Sequence, residues 1–411
     1  MGSVTDPRPG LSSPRVLIIV QNLPVPFDRR VWLECRALTG AGYDVTVVCP
    51  KGKGDPGRQV LEGVTLLKYP QYAPGGRAVG FVIEYVYSFL ATLALVLRAR
   101  KEGPFDVVQA CNPPDIFWPI ARWLRYRDGS RFVFDHHDLC PELYESRFPD
   151  GNALVRWGLL TIERETFRAA NHVISTNASY AEVAQRRGGK SSAEVTVVRT
   201  GPDEERMRRK EPIPAQKRGR KFLVAYIGVM GPQDGVEVAV RAAAYLVHDL
   251  GREDVAFTFM GAGDCYDELL ALRSELHLQD YLELPGRVSD EYVLDVLSTA
   301  DLALSPDPKN ALNDVSTMNK TLEYMSFGLP VVAFDLKETR VSADEASLYV
   351  ASGDVAAYGQ AIAGLLDDAD LRESMGKIGR RRIEDGLSWA HQRPTYVGVY
   401  DALVGRSRIG T

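Results

Sequence analysis

The apolar positions of this chain fall into short continuous runs separated by stretches of helical spacing. Residues 15–20 (RVLIIV) form an unbroken aliphatic run, the pattern of a strand covered on both faces. A helical pattern follows over Val31–Ala41 and stops at Gly42, and YDVTVVCP (43–50) is a second buried run. Strand, helix and strand in that order predict a parallel sheet. Further strands are expected at Thr65–Tyr69, Val107–Ala110, Arg131–Phe134, Val173–Thr176 and Val195–Arg199. Residues 203–221 break the pattern, because after Met207 only Ile213 is core-forming and the rest is mostly charge and proline. Strands then resume at 222–229, 255–261, 281–286, 300–306 and 330–335, again alternating with helices. This predicts two doubly wound α/β domains of similar size. In such folds ligands sit at the carboxyl ends of the strands, so the cleft between the domains is the expected site. Residues 371–405 read as helix with Trp389, Tyr396 and Tyr400 as anchors, either capping the second domain or crossing to the first.

Composition narrows the class. A length of 411 residues suits roughly two domains. Apolar residues make up 45% and charged residues 25%, as in an ordinary soluble globular protein. A net charge of −5 argues against nucleic acid as the main partner. The five cysteines are scattered and form no C-x-x-C, which fits reduced thiols in a cytosol. The opening MGSVTDPRPGLSSP has no apolar region, so no signal peptide is expected. The apolar stretch Phe81–Leu97 is shorter than the roughly 20 residues of a membrane span and is interrupted by Glu84. It reads as a buried or amphipathic helix, with shallow membrane contact as the alternative.

The sharpest chemical signal is NDVSTMNKTLEYMSFGLPVVAFD (313–335). A polar loop enters a helix, Lys320–Phe327, that Gly328 closes. Ser316 or Thr317 can cap it, and the free amides of such a terminus bind phosphate oxygens. Lys320 is a cation in the first turn, where the helix dipole disfavours one, which points to an anion nearby. The plain alternative is a capped helix with a solvated lysine. A second signal is the strand-end segment DHHDLCPE (135–142), and a third is NPPDIFWP (112–119), whose prolines and Asp115 shape either a turn facing an acceptor or a rigid connector before a helix.

The pattern N-K-x-x-E-Y-M-x-x-G-x-P-V-V resembles the donor-site signature of the family-4 glycosyltransferases, which have the GT-B fold. GAGDCYDELLALRSELHLQDYLELPGRVSDE (261–291) is similar to the family's G-x-G loop, helix and F-x-G-x-V segment, DHHDLCPE to its D-x-H-D-x-x-P-E segment, and RTGPD (199–203) to N-G-V-D. The resemblance runs from Arg15 to about Tyr400. It implies two Rossmann-like parallel-sheet domains facing a central cleft and a nucleotide-sugar donor held by the second domain. In that reading residues 1–14 are a disordered tail, 15–203 the acceptor-side domain, 204–220 a charged linker and 221–390 the donor domain. The terminal helix, 391–411, returns to the first domain. By the same resemblance Glu323 binds the donor ribose, which suits a carboxylate facing a diol. Ser316, Thr317, Met318, Asn319 and Lys320 meet the diphosphate, Gly228 and Gly231 belong to the donor-binding set, and Arg287 and Val288 read the base through their backbone. His137 faces the transferred sugar, and His137, Lys320 and Glu323 are the expected catalytic set.

Two departures from the family stand out. Its G-R-L-x-x-x-K-G motif, whose Arg and Lys clamp the diphosphate, is here Gly228-Val-Met-Gly-Pro-Gln-Asp-Gly235, so Val229 and Asp234 replace both cations. The position eight before Glu323 is Val315 rather than glutamate, and Asp314 beside it is the candidate for sugar hydroxyls. Lys320 with Arg29 or Arg30 is the expected replacement charge, with Arg199 behind them. Asp28, Asp115 and Asp138 are placed on the acceptor or phosphate side.

The expected activity is retaining transfer from a nucleotide-diphosphate sugar, with a UDP-sugar favoured by family frequency. The acceptor is a glycan, a lipid-linked precursor or a small molecule. A front-face mechanism needs no protein nucleophile, and no D-x-D motif calls for a metal, so no cofactor is expected. A cytoplasmic location is expected, with Phe81–Leu97 and the basic linker allowing peripheral contact with the inner membrane face. The alternatives are a nucleotide-sugar epimerase of the same architecture and a non-catalytic sugar-nucleotide-binding scaffold.

Overall fold

The protein is described as a computed structural model covering residues 13–72, 78–148 and 150–406. Most of the expected N-terminal tail (1–12) and the end of the chain (407–411) lie outside the described residues.

The first sheet holds β1 (Arg15–Ile19), β2 (Asp44–Pro50), β3 (Arg58–Leu61), β4 (Val64–Tyr69), β5 (Val107–Cys111), β6 (Arg131–His136), β7 (His172–Ser175) and β8 (Val195–Val197). Its order is β3-β4-β2-β1-β5-β6-β7-β8, and only the β3–β4 hairpin is antiparallel. The second sheet holds β9 (Phe222–Ile227), β10 (Val255–Met260), β11 (Leu282–Gly286), β12 (Leu302–Ser305), β13 (Val331–Phe334) and β14 (Ser347–Val350), all parallel, in the order β11-β10-β9-β12-β13-β14. β3 and β14 are additions to the strands read from the sequence. β3 alternates exposed and half-buried residues at the sheet edge, so it lacks the continuous apolar run that marks the central strands. β1 shows the opposite case, since Val16, Leu17, Ile18 and Ile19 are all fully buried between two helical layers.

Capping fixes where the helices begin. Asp28 accepts from the Val31 amide to start the helix Arg29–Gly40, and Asn177 accepts from Tyr180 to start Ala178–Arg186. Gly235 is left-handed ahead of the helix Val236–Ala244, and a Cβ there would lie 2.1 Å from the Pro306 carbonyl oxygen. Only glycine lets the loops after β9 and β12 approach so closely.

The helical end of the chain is not one helix. Ala369–Arg382 runs through a π-helical turn at Ile383–Leu387 into a last helix, Trp389–Val404. That last helix belongs to the first domain, as the resemblance implied. Trp389, Tyr396, Val399 and Tyr400 are buried in the same core as Val16, Ile18, Val31 and Val45. The linker is not a free loop either. Met207 is buried in the second-domain core, and the Lys210 and Ile213 amides donate to Ser298 and Thr299.

Candidate active site

A cavity of about 880 Å³ lies between the carboxyl ends of the two sheets. The first domain contributes the turn after β1, the segment after β6 and the start of the helix after β7. The second contributes the loops after β9 and β12 and the helix Asn319–Ser326.

The first-domain wall is built on a buried ionic network. The Arg30 side chain turns inward from its helix and donates to Asp135 Oδ1 (2.9 Å), the Val198 carbonyl (3.0 Å) and Thr200 Oγ1 (2.9 Å), and its Nε lies 2.8 Å from His137 Nε2. Its Nε also lies 3.0 Å from Glu34. Burial opposes the charge on Arg30, but Asp135 and Glu34 outweigh it and strengthen its hold on the proton. Burial alone would raise Asp135, yet Arg30 and His137 hold it below the usual carboxylate range. Asp135 Oδ2 pairs with His137 Nε2, and the Asn112 side chain anchors the backbone amides of His137 (2.6 Å) and Asp138 (3.1 Å). His137 is thereby fixed at the cavity edge. Glu34, Cys111, Asp135 and His137 place four ligand-type atoms within 4.8 Å of one another. The Arg30 guanidinium already supplies the positive charge of that cluster.

These contacts correct the expectation for Arg30. It lines the cavity, but its donors are engaged inside the domain, so it is not a free cation for a phosphate. Arg199 lies 3.9 Å from Glu338 and does not line the cavity. Asp115 is buried behind the wall beside Asn112 and Cys140, away from the cavity, and burial raises its pKa to about 6. Asp28 and Asp138 do line the cavity, each engaged with a helix-start amide, and burial raises both, Asp138 to about 6.

On the second-domain wall Lys320 also departs from its expected role. Its Nζ lies 2.5 Å from Asp307 Oδ1 and 3.7 Å from Asp234 Oδ1. Burial disfavours its charge, but the two carboxylates more than compensate and hold its pKa above the ordinary value. The carboxylates line the cavity and Lys320 sits behind them. The anion inferred from the lysine's position is therefore the protein's own pair of aspartates. Asp314 is likewise turned away, accepting from the Lys337 amide (3.0 Å) and facing Lys309 (3.3 Å). Ser316 and Thr317 do not cap the helix. Met318 is the N-cap and no side chain fills that end. Instead Ser316 Oγ meets Tyr180 OH (2.8 Å), and Thr317 Oγ1 accepts from Asn177 (3.1 Å), tying the loop to the first domain.

Met318, Asn319 and Glu323 face the cavity with Ser316 and Thr317, whereas Gly228 and Gly231 lie outside its lining. A Cβ on Gly228 would meet the Tyr226 hydroxyl at 2.7 Å. Arg287 stacks on Phe27, 3.9 Å from the ring centroid, and lines a neighbouring cavity, while Val288 packs on the second-domain core.

Arg29 spans the cleft. Its Nη1 lies 3.4 Å from Glu323 Oε1, and its Nη2 donates to Asp290 (2.9 Å), which also accepts from Arg206 (3.0 Å). Burial raises Glu323, and Arg29 and Arg206 partly offset this. Sequence reasoning does not single out Asp307, Asp290 or Gln233. Asp307 carries a readable sign, two residues beyond the strand Leu302–Ser305 in the position from which strand-end ligands are met.

This arrangement can be set beside known proteins. Residues 28–201 match the family described as "Glycosyl transferase 4-like domain", and residues 221–368 match "Glycosyl transferases group 1". The two matches follow each other in order and meet the two walls of the cavity. The chain belongs to the group 1, family-4-like glycosyltransferases. Among curated proteins of this kind it is similar to alpha-D-kanosaminyltransferase from Streptomyces kanamyceticus, with 29% identity over 157 residues. That match spans 38% of this chain and 39% of the relative. Among solved structures it resembles sucrose-phosphate synthase from Thermosynechococcus elongatus, with a TM-score of 0.75, 17% identity and coverage of 96% of this chain and 100% of the other. HepE from Anabaena in complex with UDP-glucose gives a TM-score of 0.69 at 13% identity, covering 94% and 99%. These likenesses establish the GT-B fold of this glycosyltransferase family for the chain.

Proposed function

We propose that this chain transfers a sugar, with retention, from a nucleotide-diphosphate sugar to a hydroxyl group of a glycan, lipid-linked or small-molecule acceptor. The observation that carries this reading is one cavity walled by His137 from the first domain and by the Ser316–Glu323 loop and helix from the second. A UDP-sugar is the favoured donor, supported by the UDP-glucose complex of HepE, a protein of the same fold. Glu323 accepts from the ribose hydroxyls, and the uncapped helix start at Met318–Asn319 offers amides to the diphosphate. In the transfer step the anomeric carbon–phosphate oxygen bond breaks as the acceptor oxygen bonds to the same face of the sugar. The acceptor proton passes to the departing diphosphate. His137, held by Asp135 and Asn112, keeps a fixed dipole at the ring as positive charge develops there.

A second reading, a sugar-nucleotide-binding scaffold, is favoured by Asp234 and Asp307 occupying the wall where the family carries cations. Calorimetry with a panel of nucleoside diphosphates and their sugars, on wild type and Glu323→Ala, tests the site. Binding that weakens in the variant supports the second-domain donor site. Product analysis with an acceptor panel then separates transfer from binding without turnover and from epimerisation. A folded protein that binds no nucleotide overturns the proposal.

A further inference from the structure

The helix Ala78–Ala99 packs one side onto the first sheet, where Ser88, Thr92, Val96 and Ala99 are buried. The side facing solvent would ordinarily be polar. Here it is apolar along its described length, with Val82, Ile83, Val86, Leu90, Ala94 and Leu97 all exposed. Val82, Val86 and Leu90 are 61%, 55% and 58% exposed. The stripe runs about 22 Å at the helical rise. Less than a quarter of the helix's most apolar window is buried.

The layer around this stripe carries a net positive charge. The helices Ala78–Ala99, Trp118–Asp128, Cys140–Arg147 and Ala153–Ala169 form the layer on that side of the sheet or adjoin it. Together they carry eight arginines and six acidic residues, a net of +2 in a chain of net −5. All six acids are engaged: Glu84 with Gln21, Asp128 with Arg100, Glu142 and Glu163 with Arg187, Glu145 with Arg156, and Glu165 with Arg168. Arg98, Arg122, Arg127, Arg147 and Arg164 are exposed and carry no ion pair among the described residues. Trp157 adds a large amphipathic ring, 64% exposed, on the same layer.

We infer that this face lies on an anionic lipid surface, with the apolar stripe in the headgroup–acyl boundary and the arginines on the phosphates. The helix lies along the surface and does not cross it, because its buried side is part of the first-domain core. The Gln21–Glu84 hydrogen bond (2.8 Å) ties the helix start to the strand end at which the cavity opens. Resting on the transferase reading, this geometry selects a lipid-linked acceptor among the acceptor classes, delivered from the membrane to the cleft mouth.

Flotation with vesicles of phosphatidylcholine alone, or containing 30% phosphatidylglycerol, tests the inference on the full chain. Wild type is expected to float with the anionic vesicles, and Val86→Glu/Leu90→Glu to bind them at least about tenfold more weakly. Arg98→Gln/Arg164→Gln is expected to lose several-fold on anionic vesicles only. Circular dichroism and donor calorimetry on the same samples show that the variants fold. They also separate a failed surface from a failed donor site. Equal flotation of wild type and Val86→Glu/Leu90→Glu, or no flotation of wild type, overturns the inference. So does a dimer in sedimentation that Val86→Glu/Leu90→Glu dissolves, which would assign the stripe to a second copy.

Discussion

Replacing Arg29 with glutamine is expected to move nucleoside and nucleoside diphosphate binding in opposite directions. Arg29 reaches from the first domain to Glu323, the residue assigned to the ribose, at 3.4 Å. A ribose that takes Glu323 Oε1 competes with that guanidinium. The two side chains are 39% and 21% exposed, so solvent screens the pair, and its net worth is about 0.5–1 kcal/mol. Arg29 also keeps Asp290 as a second partner, 2.9 Å away. Removing the guanidinium should therefore tighten uridine binding by about two- to fivefold. For UDP the same arginine, once displaced, is a cleft cation that can turn to a phosphate, whereas Arg30 and Lys320 are neutralised by carboxylates. A charge-assisted hydrogen bond to phosphate is worth about 1.5–3 kcal/mol. After subtracting the gain at Glu323, Arg29→Gln should weaken UDP by about 5- to 30-fold. Calorimetry with uridine and UDP at low and high salt measures both. If the two ligands shift in the same direction, or uridine is unaffected, Arg29 does not link the ribose and phosphate sites.

If His137 serves the sugar ring as proposed, His137→Ala should lower transfer by about two orders of magnitude while leaving the donor Kd nearly unchanged; single-turnover kinetics beside calorimetry would read this. Asp234→Lys should restore a cation at the diphosphate wall and tighten UDP by about tenfold at low salt, with the gain shrinking as ionic strength rises. Asp115, raised to about 6 by burial, holds its proton more tightly folded than unfolded. Its stabilising effect is full below about pH 4 and is lost as pH rises through about 6, amounting to at most about 3 kcal/mol. Urea denaturation of Asp115→Asn should accordingly lack that part of the wild-type decline between those pH values; an unchanged decline would exclude Asp115 as its source.

The parts of the molecule legible in the sequence are those where one residue type answers one local demand. β1 is readable because both faces are buried, and the start of the helix Arg29–Gly40 because Asp28 is an N-cap. β14 escapes a sequence reading because half of its four residues are only partly buried, leaving too short an apolar run to detect. The site is harder to read for a different reason. The place of Arg30, Lys320 and Asp314 in the chain suggests a role for each, yet what each does is set by residues distant in sequence. Lys320 meets Asp307 and Asp234, and Arg30 meets Asp135 and Thr200. A charged residue near a strand end shows that a cleft is close, but not whether its charge is already balanced.

The returning C-terminal helix has a direct bearing on the cleft. Tyr396 donates to Gln109 Oε1 (2.8 Å), and the Tyr400 hydroxyl reaches the same oxygen. Gln109 in turn donates to Glu34 (2.7 Å) and to Asp135 (3.1 Å), the carboxylate that pairs with His137. All of these groups but His137 are buried, so none can exchange its partner for water without an energetic cost. Glu34 shows how closely balanced the network is. Burial and the neighbouring Asp135 push its pKa well up, while Arg30 and Gln109 pull it down. The chain thus crosses from the second domain to the first to complete the hydrogen bonding beneath His137. The same crossing fastens the second domain to the first-domain wall that carries His137. A substitution at Tyr396 or Tyr400, far from the cavity in sequence and outside its lining, would reach the site through Gln109 and Asp135 by changing how firmly His137 is held.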